Sequence, residues 1–171
     1  SFRYQAADPH SLSNSMVLSL LLGRDGSLWV GTSGGLNQLP GSADGRSMAG
    51  HFLRFARPLL PEDTINGTLE DQAGWLWLTT NDGLLHFEPR RRHVQRFDVL
   101  DGLLTNEFNQ GAVGMTSKGE VLVGGPAGFH LFSPERLQPE SLPPQAHITA
   151  VRPNGQLQAL HGELQPRPNL R

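Results

Sequence analysis

The stretch Asp25–Leu39, DGSLWVGTSGGLNQL, occurs three times in this chain, and that repetition constrains the fold more than any other feature. It returns as Ala73–Phe87 (AGWLWLTTNDGLLHF) and as Lys118–Phe132 (KGEVLVGGPAGFHLF). The glycines keep step: Gly26, Gly74 and Gly119, then Gly35, Gly83 and Gly128. Apolar positions do the same, with Trp29, Trp77 and Leu122 in one column and Leu39, Phe87 and Phe132 in another. Self-similarity at roughly 40–50 residues belongs to propellers and solenoids, whose repeats bury their faces only against their neighbours.

Each copy has the chemistry of a β-hairpin. A glycine behind Asp, Ala or Lys opens a tight turn. Apolar, β-favouring residues follow: Leu28-Trp29-Val30, Leu76-Trp77-Leu78, Val121-Leu122-Val123. They do not alternate with polar residues, so this strand is expected to be covered on both faces. A second turn (Thr32–Gly35, Thr80–Gly83, Gly125–Gly128) leads to a second strand ending at Leu39, Phe87 or Phe132. A sheet sandwiched between two neighbouring sheets is the arrangement of propeller blades.

The remaining segments complete that unit. Val17–Leu22, Ile65–Glu70 and Ala112–Thr116 precede the hairpins as inner strands, and His51–Phe55 and His93–Phe97 follow as outer strands. Ser1–Tyr4 shares their apolar-x-Arg-aromatic pattern and reads as the outer strand of an upstream blade, as if the chain began inside a longer array. Gly41–Gly50 is an insertion in the first blade. The third copy lacks an outer strand before Ser133–Pro144, a stiff linker with four prolines. His147–Val151 and the turn Pro153-Asn154-Gly155 begin a further β segment. The fold expected is all-β: a partial β-propeller of about three four-stranded antiparallel blades at 1–132, a Pro-rich linker at 133–144, and the start of another β domain at 145–171. Twenty glycines and thirteen prolines suit such a turn-dense fold.

These repeats resemble the two-component regulator propeller repeat, whose blades carry D-G-x-L-W-V-G-T followed by a G-G-L-x-x-L hairpin. Asp25–Leu39 fits that pattern nearly residue for residue and Ala73–Phe87 fits well. The third copy departs, with Leu122 for Trp and Gly124-Gly125 for Gly-Thr. It is similar instead to the last blade of such propellers, which follows a G-L-x-x-N-E-F-N-x-G-A segment, here Gly102–Ala112. Leu142-Pro143-Pro144 and Ile148–Val151 fit the step into a Y_Y_Y-type β-sandwich, truncated here. The resemblance implies an extracytoplasmic, periplasmic sensor segment of a bacterial membrane signalling protein. A histidine kinase or a diguanylate cyclase would lie beyond the membrane, so no catalysis and no cofactor are expected in this chain.

Several motifs invite sharper chemistry and fail the context that chemistry needs. Gly31–Gly35, GTSGG, has the spacing of a hydrolase nucleophile elbow, but the element returns as a strand and the other copies carry no serine there. Seven histidines show no i, i+2 or i, i+4 pair, so no metal site is expected. Asn66-Gly67-Thr68 is a formal glycosylation sequon at the start of an inner strand. Glu62-Asp63 and Glu70-Asp71 are strand neighbours that point to opposite faces, not acid/base pairs. Trp29 and Trp77 share a repeat position and read as blade packing, whereas Trp75 has no aromatic counterpart and sits in a turn.

A formal net charge of −2, with no basic run longer than Arg90–Arg92, argues against nucleic acid. The longest apolar run, Met16–Leu22, is too short to cross a bilayer, so no membrane contact is expected of this segment. Propellers that bind small molecules do so where loops from several blades converge. Those loops offer Asn14, Asp63, Asn106, Glu107 and Asn109, with Ser33, Asn81 and Asp82 beside them. These eight are the expected contacts for a small, sugar-like ligand, and turn stabilisation is the competing role for each. The rival classes are a propeller-scaffold enzyme acting on polysaccharide fragments and a pure protein-interaction or dimerisation platform. Three blades leave apolar faces and strand edges open, so the isolated chain is expected to self-associate.

Overall fold

A computed structural model describes residues 1–41, 50–136, 150–151 and 158–159. Three sheets follow one another along the chain. The first contains β1 (Val17–Leu22), β2 (Leu28–Thr32), β3 (Gly35–Leu39) and β4 (Leu53–Phe55), hydrogen-bonded in chain order and antiparallel throughout. The second repeats this with β5 (Gly67–Glu70), β6 (Leu76–Thr79), β7 (Leu84–Glu88) and β8 (His93–Phe97). The third has β9 (Val113–Met115), β10 (Val121–Gly125) and β11 (Gly128–Phe132), with no fourth strand among the described residues. Tyr4, in the segment expected to be an upstream outer strand, makes one isolated parallel bridge to Leu12. No helix among the described residues is long and apolar enough to cross a membrane.

The chain separates into two compact units, Ser1–Leu137 and Gln138–Arg171. In the second, β12 (Ala150–Val151) pairs antiparallel with β13 (Gln158–Ala159). The rest of the expected linker beyond Arg136, the rest of the expected β-sandwich start and most of the first-blade insertion lie outside the described residues.

Both turns of each hairpin are built to one plan. In the first turn, Gly23, Asp71 and Thr116 donate their N–H to the carbonyls of Ser27, Trp75 and Glu120 at 2.8–2.9 Å. At the second turn Gly35, Gly83 and Gly128 adopt φ of 120°, 104° and 124°. A Cβ at Gly35 or Gly83 would stand 2.6 Å from the carbonyl oxygen of Phe55 or Phe97 on the outer strand. Only glycine combines that backbone with that approach.

Burial follows the strand pleat, and it explains why the hairpin strands carry apolar residues without alternation. In β6, Trp77 faces the third sheet while Leu76 and Leu78 face the first. In β2, Trp29 faces the second sheet while Val30 packs with Leu12, Leu39 and Phe52 on the other side. The first interface gathers Trp29, Leu36 and Phe55 against Ile65, Leu78 and Phe87. The second gathers Trp77, Leu84 and Phe97 against Phe108, Val121 and Val123. Inner strands β1, β5 and β9 neighbour one another in turn, and Ser19 Oγ lies 2.9 Å from Thr68 Oγ1 across β1 and β5. These are blades stacked as in a propeller.

One repeat column reports where stacking stops among the described residues. Leu36, Leu84 and Phe129 hold the same position; the first two are 0% and 1% exposed under the following blade, and Phe129 is 68% exposed. The column makes a paired prediction. Trp77→Ala, at the second interface, is expected to cost about 3–5 kcal/mol in urea unfolding, and Phe129→Ala under roughly 0.5 kcal/mol. Equal losses would contradict the assignment of a covered and an open face.

Candidate functional site

The eight expected ligand contacts fall at the rim formed by the second turns and the blade-to-blade connections. Asn81 and Asp82 lie in the second turn of the second blade, and the connection after that blade comes back to meet them. Gly83 donates its N–H to the Asn106 carbonyl at 2.7 Å, and Asn106 Nδ2 lies 3.4 Å from Asp82 Oδ1. Arg96 clamps the same carboxylate at 2.8 Å. Asn81 Oδ1 accepts from Asn66 Nδ2 at 2.7 Å, and Asn66 also donates to the Phe108 carbonyl at 2.9 Å. Asn81, Asp82 and Asn106 are thus brought together.

The others are more dispersed. Asn109 donates its N–H to the Gly124 carbonyl, while Glu107 donates its N–H to Thr105 Oγ1. In the first blade, Asn14 Oδ1 accepts from the Met16 N–H and Ser33 donates its N–H to the Met16 carbonyl. Asp63 accepts from the Arg57 N–H at 3.1 Å and faces its guanidinium at 3.5 Å. Each contact closes a turn or joins a connection to a blade. Among the described residues there is no group of three or more His, Asp or Glu placed to hold a metal ion.

The opposite rim holds a cleft of about 500 Å³ between the first and second blades. Trp29 and Phe55 contribute to it from the first blade, Trp75 and Leu76 from the second, and charged side chains stand around them. Trp75 is half-buried here, its ring centroid 4.6 Å from that of His86 and 6.2 Å from that of His93.

Behind Trp75 lies a polar cluster that the sequence reading did not single out. Asp71 opens the first turn of the second blade and is 4% exposed. Its Oδ1 accepts from the N–H groups of Ala73 and Trp75 at 2.9 and 3.0 Å. Its Oδ2 accepts from Trp77 Nε1 at 3.1 Å and from His86 Nε2–H at 2.9 Å. His86 stacks on Trp77 with centroids 4.0 Å apart and planes 14° apart. The signal was present in the hairpin register: Trp77 pairs with His86 across β6 and β7, and the N–H of Asp71 bonds the Trp75 carbonyl across the turn.

Burial pushes the Asp71 carboxyl up, but the bonds from His86, the Trp75 N–H and Trp77, with the field of His86, outweigh it and hold the group below its ordinary 3.8. A depressed carboxylate contributes stability that is fully present above the unfolded value and is lost as pH falls through the folded one. Asp71→Asn is therefore expected to lower stability at pH 7 by about 1–3 kcal/mol. It should also flatten the decline in stability below about pH 4. Urea midpoints of both proteins from pH 2 to 7 measure this; parallel curves would exclude Asp71 as a source of acid sensitivity.

Comparison with known proteins places this geometry. Residues 11–34 match the family model described as two component regulator propeller. Histidine kinase P4 of Formosa agariphila is 30% identical over 90 residues, covering 53% of this chain and 7% of that protein. The extracellular domain of a hybrid two component system from B. thetaiotaomicron superposes with a TM-score of 0.71 at 25% identity, over 85% of this chain and 19% of that one. PorZ, a component of the type-IX secretion system of Porphyromonas gingivalis, shares the fold with a TM-score of 0.59 at 18% identity, over 72% of this chain and 18% of that one. The chain thus spans only a small part of each relative's length. The match to the two component regulator propeller falls on residues 11–34, in the first blade, and the second and third sheets repeat that blade's hairpin plan.

Proposed function

We propose that this chain is a non-catalytic segment of the periplasmic sensor of a bacterial membrane signalling protein, a histidine kinase or a diguanylate cyclase. In this reading it binds a small sugar-like ligand at the second-turn rim, or relays a signal through its blades to the domain that follows. The observation that carries the proposal is the superposition on the extracellular domain of a hybrid two component system at a TM-score of 0.71. The rim supports it further. Asn81, Asp82 and Asn106 present amide and carboxylate groups from two consecutive chain segments at one place, and such groups match the hydroxyls of a saccharide.

The test is thermal unfolding of the chain against a panel of neutral mono- and disaccharides. A binder at a hundredfold excess over its Kd stabilises by about 2.7 kcal/mol. That shift should disappear in Asn81→Ala. A panel without effect, or a shift that Asn81→Ala leaves intact, would remove the rim from the proposal.

A second reading, an interaction platform, draws on one observation of its own. Phe129 and Leu131 are exposed on the third blade, and Leu84, the repeat equivalent of Phe129, is covered. Self-association through that face is the expected consequence for the isolated chain. Sedimentation of dilute protein should show species heavier than 18.7 kDa, and Phe129→Ser should return it to monomer. A monomeric parent chain would end this reading.

A further inference from the structure

We infer that the cleft between the first and second blades, on the first-turn rim, is a second binding site, one that takes a small anionic molecule with an apolar ring face, of which a uronate sugar is the type. The inference goes beyond the sensor reading, because the site lies on the opposite rim and uses none of the residues placed there.

Size and lining come first. The cleft's volume of about 500 Å³ is in the range of small-molecule sites, roughly 300–1,000 Å³. Its apolar wall is the half-buried Trp75, backed by Trp29 and Phe55, which show the cleft only their edges at 4% and 7% exposure. Trp75 is fixed by contact with His86 and His93, and His86 is in turn fixed by Asp71. A ring held in this way presents contact area with little rotamer freedom left to lose. An indole or phenyl face suits the C–H face of a sugar ring.

The charge that remains uncommitted decides the ligand class. Three carboxylates line the cleft: Glu70 and Glu88 are paired with arginines, and Asp25, which keeps its charge, is turned into its own tight turn. Asp25 accepts from the N–H and Oγ of Ser27 at 2.9 and 3.1 Å. Glu70 accepts from the Arg24 N–H at 2.8 Å and pairs with its guanidinium at 3.3 Å. Glu88 pairs with Arg91 at 3.6 Å. Arg90 and Arg92 also line the cleft, and neither has a carboxylate partner among the described residues. The Arg92 guanidinium sits 5.6 Å from the centre of the Phe55 ring, a cation–π contact that does not use its N–H groups as hydrogen-bond donors. Two guanidinium groups beside an aromatic wall match a carboxylate carried on a ring: the fork grips the carboxylate and the wall takes the ring. An anion without an apolar face would forgo half of the site, and a neutral sugar the other half.

Titration calorimetry of the whole chain with glucuronate, methyl glucoside and acetate tests the inference. Glucuronate is expected to bind, weakening as salt is raised, with methyl glucoside and acetate each roughly tenfold weaker or more. The double variant Arg90→Ala/Arg92→Ala, changed only at exposed surface positions, should lose the preference for glucuronate over methyl glucoside. Trp75→Ala should weaken glucuronate binding, and Asn81→Ala should leave glucuronate affinity unchanged. No heat with glucuronate, equal affinity for the three probes, or full glucuronate affinity in the double arginine variant would each overturn the site. The glucuronate results decide this cleft alone; the second-turn rim stands or falls on the loss of neutral-sugar stabilisation in Asn81→Ala.

Discussion

Everything in this chain depends on the inability of a blade to keep either of its faces in water. A four-stranded sheet with strands of three to six residues has no core of its own; it has two apolar surfaces and needs a partner for each. The pleat sorts side chains to the two sides: Trp29, Leu36 and Phe55 go forward to the second blade, while Val30 and Leu39 go back towards Leu12 and Phe52. A fully buried leucine or phenylalanine contributes about 1.5–3 kcal/mol, so stability resides in the interfaces and only secondarily in the sheets. For the same reason the outermost described face is the informative one.

The polar cluster at Asp71 shows how a repeat can keep its backbone and vary its chemistry. Gly23, Asp71 and Thr116 occupy one position and make one backbone bond. Thr116 supports its turn by accepting from the N–H groups of Lys118 and Glu120, and Asp71 does the same for Ala73 and Trp75. Only Asp71 reaches further, to an indole on β6 and an imidazole on β7. The turn is thereby tied to two strands, and Trp75 is set against the cleft.

The fold was legible because periodicity and turn chemistry are local. The glycines at 26, 74 and 119 and those at 35, 83 and 128 marked both hairpin turns, and all six have positive φ. The unalternating runs around Trp29 and Trp77 announced sheets covered on both sides. The cleft was not legible, since it is made by residues as distant in sequence as Trp29 and Arg92, and nothing local indicates that two blades part there. The Asp71 carboxylate was set aside as one of an adjacent pair; its neighbour Glu70 does leave in another direction, to Arg24, but the indole and imidazole that Asp71 meets are reached only through the hairpin register. Trp75 could be recognised as exceptional, because its equivalents are Ser27 and Glu120. Its contacts could not.

The connections between blades carry a consequence for the order in which the chain acquires structure. Ile65 donates its N–H to the carbonyl of Thr32 at 3.0 Å, and Phe108 does the same to Thr80 at 3.1 Å. Leu60 and Ile65 sit in the first interface and Phe108 in the second, although none of the three belongs to a sheet. Each blade's forward face is therefore partly roofed by the stretch that leaves it, which precedes the next sheet in the chain. A chain emerging from its N-terminal end can shield each completed blade after a further ten residues or so, about half a second to two seconds of synthesis. Exposed apolar surface is then never more than one blade deep. The same stitches set where the next inner strand begins, so that each blade is the template from which its successor takes its register.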